Sequence, residues 1–267
     1  MDLGLKGKYA IVTGSTGICK ASAISLANEG VNVAVTYLTE VDKEESLRTV
    51  KEIQAMGLKA ISLKMDLLNL DDIKSMVDEV MNSFGRIDIL INCAGAIHAA
   101  LAENITEDEW DSDFNIDLKG LFFCAREVFN KAMKSQRSGN IINVASVVGM
   151  RPIKTNPSYG AAKSGVIHIT RYLAVEWSPY NIKVNAVSPG WIATKLLIDR
   201  IKDGLSIDPS PIMPIGRLGT SEEMSDLITF LVSERNGFMT GSNIVSDGGI
   251  LAGIRMPYIK DGKLDVF

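Results

Sequence analysis

The sequence predicts an α/β fold, a doubly wound parallel sheet with helices on both faces. Three observations carry that expectation. Short apolar runs of strand length alternate with longer segments whose apolar residues recur near a 3.6 period. The connections between them are short, as strand–helix–strand units with right-handed crossovers require. A glycine loop, Thr13-Gly14-Ser15-Thr16-Gly17-Ile18, stands between the first strand and the first helix. In that position backbone amides and a helix N-terminus can approach a phosphate.

Residues 8–13, 31–37, 60–64 and 87–92 read as the first four strands, each rich in the apolar residues of a strand buried on both faces. Helical segments at 18–28, 41–56 and 70–84 lie between them. Gly30 and Gly57 follow the first two helices, and Asn69 stands where it can cap the third ahead of Asp71 and Asp72. A long helix is expected over 107–133, a strand at 141–146, a helix at 157–177, a sixth strand at 182–188, a helix at 221–232 and a short last strand at 243–246. Nothing of linker or repeat character interrupts the chain, so residues 1–267 are expected to form one domain. Two stretches leave the pattern. Residues 195–220, with Pro209, Pro211 and Pro214, are long for an α/β connection and are expected to form a substrate loop; residues 250–267 form a C-terminal tail.

The 267 residues are 46% hydrophobic and 22% charged, enough to bury a sizeable core. A formal net charge of −4 gives no electrostatic reason to expect nucleic acid or an anionic membrane as partner. No apolar run approaches the ~18 residues of a membrane span, and the first residues lack the basic-then-apolar layout of a signal peptide. Cys19, Cys93 and Cys124 are odd in number and unclustered, which suits a reducing compartment and offers neither a disulfide framework nor a metal site. A cytoplasmic protein with a small-molecule partner and no metal is the expectation.

In sheets of this kind ligands bind at the carboxyl ends of the strands. Ser146, Asn92, Ser188 and the loop after Thr13 all fall there. Tyr159 and Lys163 are four residues apart on a predicted helix, so both face one side, a turn apart; Ser146 lies thirteen residues upstream of Tyr159. A free tyrosine, with a pKa of about 10, is a poor base at neutral pH, and a nearby ammonium favours its phenolate. Phenol, ammonium and hydroxyl together supply a proton-transfer group, its electrostatic tuner and a donor to a substrate oxygen, as carbonyl reduction or alcohol oxidation needs.

These pieces stand in one order with Asp66-Leu67, Asn92-Cys93-Ala94-Gly95, Asn185-Ala186-Val187-Ser188-Pro189-Gly190 and Asp247-Gly248-Gly249. In that order they resemble the short-chain dehydrogenase/reductase family over residues 5–249. The resemblance implies a single Rossmann-type domain, a nicotinamide cofactor and roles residue by residue. Tyr159 would pass the proton to or from the substrate oxygen, Ser146 would hydrogen-bond that oxygen, and Lys163 would hold the nicotinamide ribose while lowering the phenol pKa. Gly14, Ser15, Thr16, Gly17 and Ile18 would meet the pyrophosphate, Tyr37 the adenosine side, and Asp66 and Leu67 the adenine. Asn92, Ala94 and Gly95 would line the cofactor path, with Tyr159 and Lys163 at its end. Pro189, Gly190, Ile192 and Thr194 would hold the nicotinamide.

Two positions depart from the family pattern. The glycine loop is one residue short, and Cys19 stands at its third glycine. The simpler reading is a compensated variant; the other is weakened cofactor binding or a thiol that senses oxidants. The fourth catalytic position, usually asparagine, falls on Asp117. Asn115, two residues earlier, lies about 200° round a helix and cannot replace it. A carboxylate at 117 would counter Lys163 and raise the tyrosine pKa.

The second strand ends Thr36-Tyr37-Leu38-Thr39. Without an aspartate there the usual obstacle to NADP is absent, and Lys20 stands near, so NADP is expected, with NAD the alternative. Arg151, Lys154, Asn156, Trp191 and Lys195 beside apolar residues suit a small alcohol or ketone, namely a polyol, sugar or sugar acid. The ending at 246–252 is similar to endings among sugar and sugar-acid dehydrogenases of the family. Alternatives are a 3-ketoacyl carrier-protein reductase, or a catalytically weakened binding or regulatory relative. His98 reads as a surface loop residue, His168 as helix packing, and Met56, Met76 and Met81 as core. The resemblance also implies a homo-oligomer, dimer or tetramer, through the two long helices. Ile254, Met256, Tyr258 and Phe267 of the tail would cover a neighbouring cleft or fray.

Overall fold

Side chains of successive strand residues point to opposite faces, and the apolar runs use both. The structure, a computed structural model, describes residues 2–204, 206–254, 258–260 and 263–265. Met256, Phe267 and the side chain of Tyr258 lie outside the described residues. Seven strands form one parallel sheet: β1 (Tyr9–Val12), β2 (Asn32–Tyr37), β3 (Ala60–Lys64), β4 (Ile89–Asn92), β5 (Gly139–Val144), β6 (Ile182–Pro189) and β7 (Asn243–Ser246). Their spatial order is β3-β2-β1-β4-β5-β6-β7. Val12 pairs with Val35 on one side and Ile91 on the other, and Asn92 with Asn143.

Helices α1 (Gly17–Asn28), α2 (Glu40–Ala55) and α9 (Ser221–Val232) cover one face. There Ala10, Val12, Val33, Val35, Ile89 and Ile91 meet Ala23, Leu26, Ile53 and Ile228. On the other face Ile11, Ala34, Leu90 and Ile141 meet α3 (Leu70–Phe84), the long helix and α7 (Pro157–Trp177) through Ile73, Met76, Val128, Leu173 and Trp177. Full burial of such side chains contributes about 1.5–3 kcal/mol each, and this two-sided burial fixes the sheet. Met76 is core and Met81 packs at its margin, but Met56, capping the end of α2, is exposed. Asn69 caps α3 as expected, accepting from Asp71 N–H at 3.0 Å.

The long helix runs further than expected, over 107–136, and is not uniform. It comprises α4 (Glu107–Phe114), α5 (Leu121–Val128) and α6 (Lys134–Gln136), joined by π-helical turns at Asn115–Gly120 and Phe129–Met133. The substrate loop also holds a helix, α8 (Lys195–Lys202), capped by Thr194 and with no buried residue. Beyond β7 the chain turns back: Ile250 is buried, and Arg151 Nη1 donates to its carbonyl at 2.8 Å. A small antiparallel pair, β8 (Tyr258–Lys260) and β9 (Lys263–Asp265), follows.

Strand order reverses between β1 and β4, and a crevice opens at their carboxyl ends. The Thr13 hydroxyl oxygen accepts there from Cys93 N–H at 2.9 Å and Ala94 N–H at 3.1 Å. That clamp fixes the two loops that the site is built on.

Candidate active site

The glycine loop leaves β1 with its backbone already tied to β2. Gly14 N–H donates to Thr36 Oγ1 at 2.9 Å, and the Ser15 hydroxyl to the Asp42 carbonyl at 3.1 Å. Gly14 and Gly17 have φ of +93° and +53°, which side chains other than glycine rarely adopt. A Cβ at Gly14 would stand 2.8 Å from Cys19 Sγ. The short loop is therefore packed directly on the cysteine.

Past the loop, the crevice is divided. Its outer half, about 300 Å³, is lined by Gly14, Ser15, Thr16, Tyr37, Asp66, Leu67, Ala94 and Gly95. Asp66 Oδ1 accepts from Leu68 N–H at 2.9 Å, which sets that turn. Asp42 is also there, but its Oδ2 accepts from the Thr39 amide at 3.2 Å and hydroxyl at 2.7 Å. It caps α2 and is not a free carboxylate. The inner half, about 380 Å³, is lined by Ile18, Gly95, Asp117, Ser146, Tyr159, Lys163, Pro189, Gly190, Ile192 and Thr194. Cys19 and Cys93 line both.

Two expected cofactor residues are placed differently. Gly17 borders neither half and packs instead on Thr194. Asn92 is buried beneath the floor. Its Nδ2 donates to Asn143 Oδ1 at 2.9 Å, and Asn143 Nδ2 donates to Thr170 Oγ1 at 2.9 Å. A polar side chain at a strand end looks available in sequence; here it is spent on linking β4, β5 and α7, and so positions the helix that carries Tyr159 and Lys163.

Lys163 is buried. Its Nζ donates to the Val144 carbonyl at 3.0 Å, lies 3.1 Å from Asp117 Oδ1 and 5.5 Å from the centroid of the Tyr159 ring. Burial lowers the Lys163 pKa, but Asp117 and then Tyr159 outweigh it, and the ammonium is held above its ordinary value. Burial pushes the Asp117 carboxyl up, and the attraction of Lys163 only partly restores it. The ion-pair distance does not bring hydrogen-bond geometry: both Asp117 oxygens are buried without a hydrogen-bond partner. Asp117 lies in the π-helical turn, buried on the same face as Asp113, while Asn115 borders neither half of the crevice.

Tyr159 carries a correction of balance. Lys163 lowers its pKa and Asp117 raises it, both as expected, and Ser146 lowers it further. Burial is the largest effect, however, and the phenol ends above its ordinary value. Ser146 Oγ meanwhile accepts from Val148 N–H at 3.2 Å, which aims the hydroxyl from the end of β5.

On the substrate side, Ile97, Val148, Ile153, Asn156, Trp191 and Leu197 wall the inner half. Next to it is a smaller cavity of about 130 Å³, sharing Val147, Ile153 and Trp191 and closed by Ile212, Ile250, Leu251 and Ile254, with Arg151 at its edge. The start of the tail thus packs on its own chain's site. Lys154 borders neither space, and Lys195 is exposed and paired with Asp199 at 2.5 Å. Of the expected cationic substrate residues only Arg151 borders either of these two spaces; Lys154 lines a separate surface cavity with Thr155, Pro157 and Gly160.

Sequence reasoning missed one cluster. His98 Nδ1 lies 2.8 Å from Asp113 Oδ1, and the Ser158 hydroxyl donates to Asp113 Oδ2 at 2.5 Å. His98 is therefore no free surface residue; it ties the loop after β4 to the first turn of α7, beside Tyr159. The signal was Asp113 itself, four residues before Asp117 and so on the same buried helix face. Thr155, at φ +78°, is held by its carbonyl accepting from Ala100 N–H at 2.9 Å, which joins the two substrate segments. His168 is exposed, edge-on to Tyr172.

Hydride exchange at a CH–OH carbon needs a dinucleotide laid across a switch point with its nicotinamide end at a proton donor. The close-packed cradle at Gly14 and the two joined halves fit such a molecule, and the protein is an NAD(P)-dependent oxidoreductase acting on CH–OH groups. Comparison with known proteins agrees. A family model described as enoyl-(acyl carrier protein) reductase matches residues 12–251. The 3-oxoacyl-[acyl-carrier-protein] reductase FabG of Staphylococcus aureus is 36% identical over 91% of this chain and 98% of its own. The 2-dehydro-3-deoxy-D-gluconate 5-dehydrogenase of Escherichia coli is 35% identical over 93% and 97%. The crystal structure of a variant of actinorhodin polyketide ketoreductase with NADPH superimposes with a TM-score of 0.85 at 28% identity, covering 91% of this chain and 97% of that one. The chain belongs to the short-chain dehydrogenase/reductase family.

Among the described residues no helix is long and apolar enough to cross a membrane, and no three His, Cys, Asp or Glu side chains come together to hold a metal.

Proposed function

We propose that the protein interconverts a secondary alcohol and a ketone on a short hydroxy or keto acid of the sugar-acid class, with NADP(H). The observation that carries the substrate class is the cavity beyond Tyr159, apolar on its walls with Arg151 at its edge. A carboxylate placed against Arg151 would set the reacting carbon in the inner half. The similarity to a sugar-acid dehydrogenase supports the same reading.

The cofactor supplies or accepts the hydride. Tyr159 gives its phenolic proton to the carbonyl oxygen in reduction and takes it back in oxidation, while the Ser146 hydroxyl donates to that oxygen. Lys163 keeps a positive charge beside the phenol and would meet the nicotinamide ribose. Gly14, Ser15, Thr16 and Ile18 would hold the pyrophosphate with backbone groups, Asp66 and Leu67 the adenine, and Pro189, Gly190, Ile192 and Thr194 the nicotinamide. NADP(H) is favoured because the end of β2 presents no free carboxylate, Asp42 being spent on its cap. Lys20 also reaches toward α2, 3.7 Å from Glu45. Initial rates with NADPH and NADH at equal concentration test this; a higher rate with NADH overturns it.

Arg151→Met should raise KM for a hydroxy or keto acid by about 10- to 100-fold, the loss of one charge-assisted contact of about 1.5–3 kcal/mol. KM for an uncharged diol should stay within a few-fold. Equal effects on both substrates would remove Arg151 from substrate binding. The apolar walls and the FabG relatives favour a second reading, a 3-oxoacyl thioester as substrate. A panel of sugar acids, polyols and acyl thioesters, followed by absorbance of the reduced nicotinamide, separates the two.

Asp117 makes a pH prediction. Its charge raises the Tyr159 pKa, and carbonyl reduction needs the protonated phenol. Asp117→Asn should therefore keep activity and move the basic limb of the reduction profile to lower pH. A shift to higher pH, or complete inactivity, would contradict it. Assembly as a homo-oligomer is part of the proposal: Ala161, Ser164, His168, Tyr172 and Val175 form one exposed stripe along α7.

A further inference from the structure

We propose that Cys19 and Cys93 form a reversible modification site inside the cofactor crevice, a thiol pair that small disulfides convert to an intramolecular disulfide. Cys19 Sγ lies 2.8 Å from Cys93 Sγ, and both thiols are free. A disulfide bond is about 2.05 Å long, so closure asks for roughly 0.8 Å of approach. The two sulfurs come from segments 74 residues apart, and each segment is fixed. Cys19 is in the first turn of α1, packed under Gly14; Cys93 follows β4, its N–H held by Thr13 Oγ1.

Location gives the pair its accessibility. Both cysteines line the inner and outer halves of the crevice, at the junction a dinucleotide must cross. A small reagent that enters the crevice reaches them, and a bound dinucleotide covers them. Cys124 is the internal contrast, buried in the core, where burial pushes its thiol up to about 12.

The exchange balances with an oxidised low-molecular-weight disulfide as the electron acceptor. The hydrogen bond with Cys19, and then burial, raise the Cys93 pKa; the exchange balances whichever thiol attacks first, here Cys19. Its sulfur, having lost its proton, attacks one sulfur of the oxidant and releases the other half as a thiol. Cys93 then loses its proton, attacks the Cys19 sulfur of the mixed disulfide and releases the second half as a thiol. Two protein S–H bonds and the oxidant's S–S bond break; one protein S–S bond and two thiol S–H bonds form. The two electrons pass to the oxidant, and a thiol reductant reverses every step.

The test is incubation of the whole protein with oxidised glutathione, with and without NADPH or NADH, followed by intact mass and peptide mapping under non-reducing conditions. The expected product is lighter by two hydrogens, maps to a Cys19–Cys93 link and returns to the starting mass with dithiothreitol. Cys19→Ser and Cys93→Ser should each fail to give it. No such product, or a link through Cys124, would overturn the proposal, and the wild-type chain alone decides that. The shielding rests on the dinucleotide reading, so cofactor binding is measured in parallel by protein fluorescence. At a cofactor concentration about 100-fold above its Kd, disulfide formation should slow about 100-fold. Cofactor that binds without slowing it places the pair outside the cofactor path and overturns its assignment to the crevice. Failure of either cofactor to bind would count against the dinucleotide reading, and the link itself would still be scored.

Discussion

Tyr159→Phe is expected to lower kcat/KM by about a thousandfold, with cofactor affinity within a few-fold of wild type. General acid–base groups contribute about 10²–10⁴-fold, and phenylalanine removes the proton while keeping the ring. The change leaves little else disturbed. Ser146 still accepts from Val148 N–H, and Lys163 keeps its bond to the Val144 carbonyl. The lost activity is then assignable to proton transfer and not to collapse of the site. Single-turnover measurement of nicotinamide absorbance would separate the chemical step from release. A variant retaining more than a tenth of wild-type kcat/KM would mean that a group other than Tyr159 delivers the proton.

The elements that sequence resolved are those whose burial is two-sided or whose ends carry their own chemistry. β1, β2 and β4 read as continuous apolar runs because both faces are covered, and the start of α3 was fixed by Asn69 because caps are local. The trio of Ser146, Tyr159 and Lys163 was legible because helix spacing joins two of them and a strand end supplies the third. What depended on distant contacts was not legible. The partner of Cys19 is 74 residues away, the partner of Asp113 is in a loop 15 residues back, and the amide of Asn92 is spent on Asn143. Nor does a residue pattern mark the π-helical turn at Asn115–Gly120, which reads as ordinary helix. Arg151 and Lys195 were equal candidates on charge alone. The return of the chain at Ile250 separates them, turning one toward a cavity and leaving the other in solvent.

Lys163→Met should cost about 3 kcal/mol of stability at pH 8, and the loss should shrink toward pH 5. Both members of the Lys163–Asp117 pair are buried, with exposures of 3% and 0%, so the contact is not screened as a surface pair would be. Removing one partner of such a pair typically costs about 3–5 kcal/mol, because the remaining charge is left uncompensated. In a chain of this size each kcal/mol moves Tm by about 2–4 °C, giving a fall of roughly 6–12 °C. The pH dependence follows from Asp117. Burial already raises its pKa, and Lys163 is the main influence lowering it; without Lys163 the folded-state pKa rises further above the unfolded value of about 3.9. A carboxyl of that kind binds its proton more tightly in the folded state. Its contribution is fully present below the unfolded pKa and is lost as pH rises through the folded pKa. The variant should therefore approach wild type in mild acid and fall away in alkali. Adding Asp117→Asn should restore most of the stability and abolish the pH dependence, while activity stays low because no ammonium stands beside the phenol. A deficit equal at every pH would assign the loss to the Val144 bond and to packing, and would show that Asp117 is neutral in the folded protein.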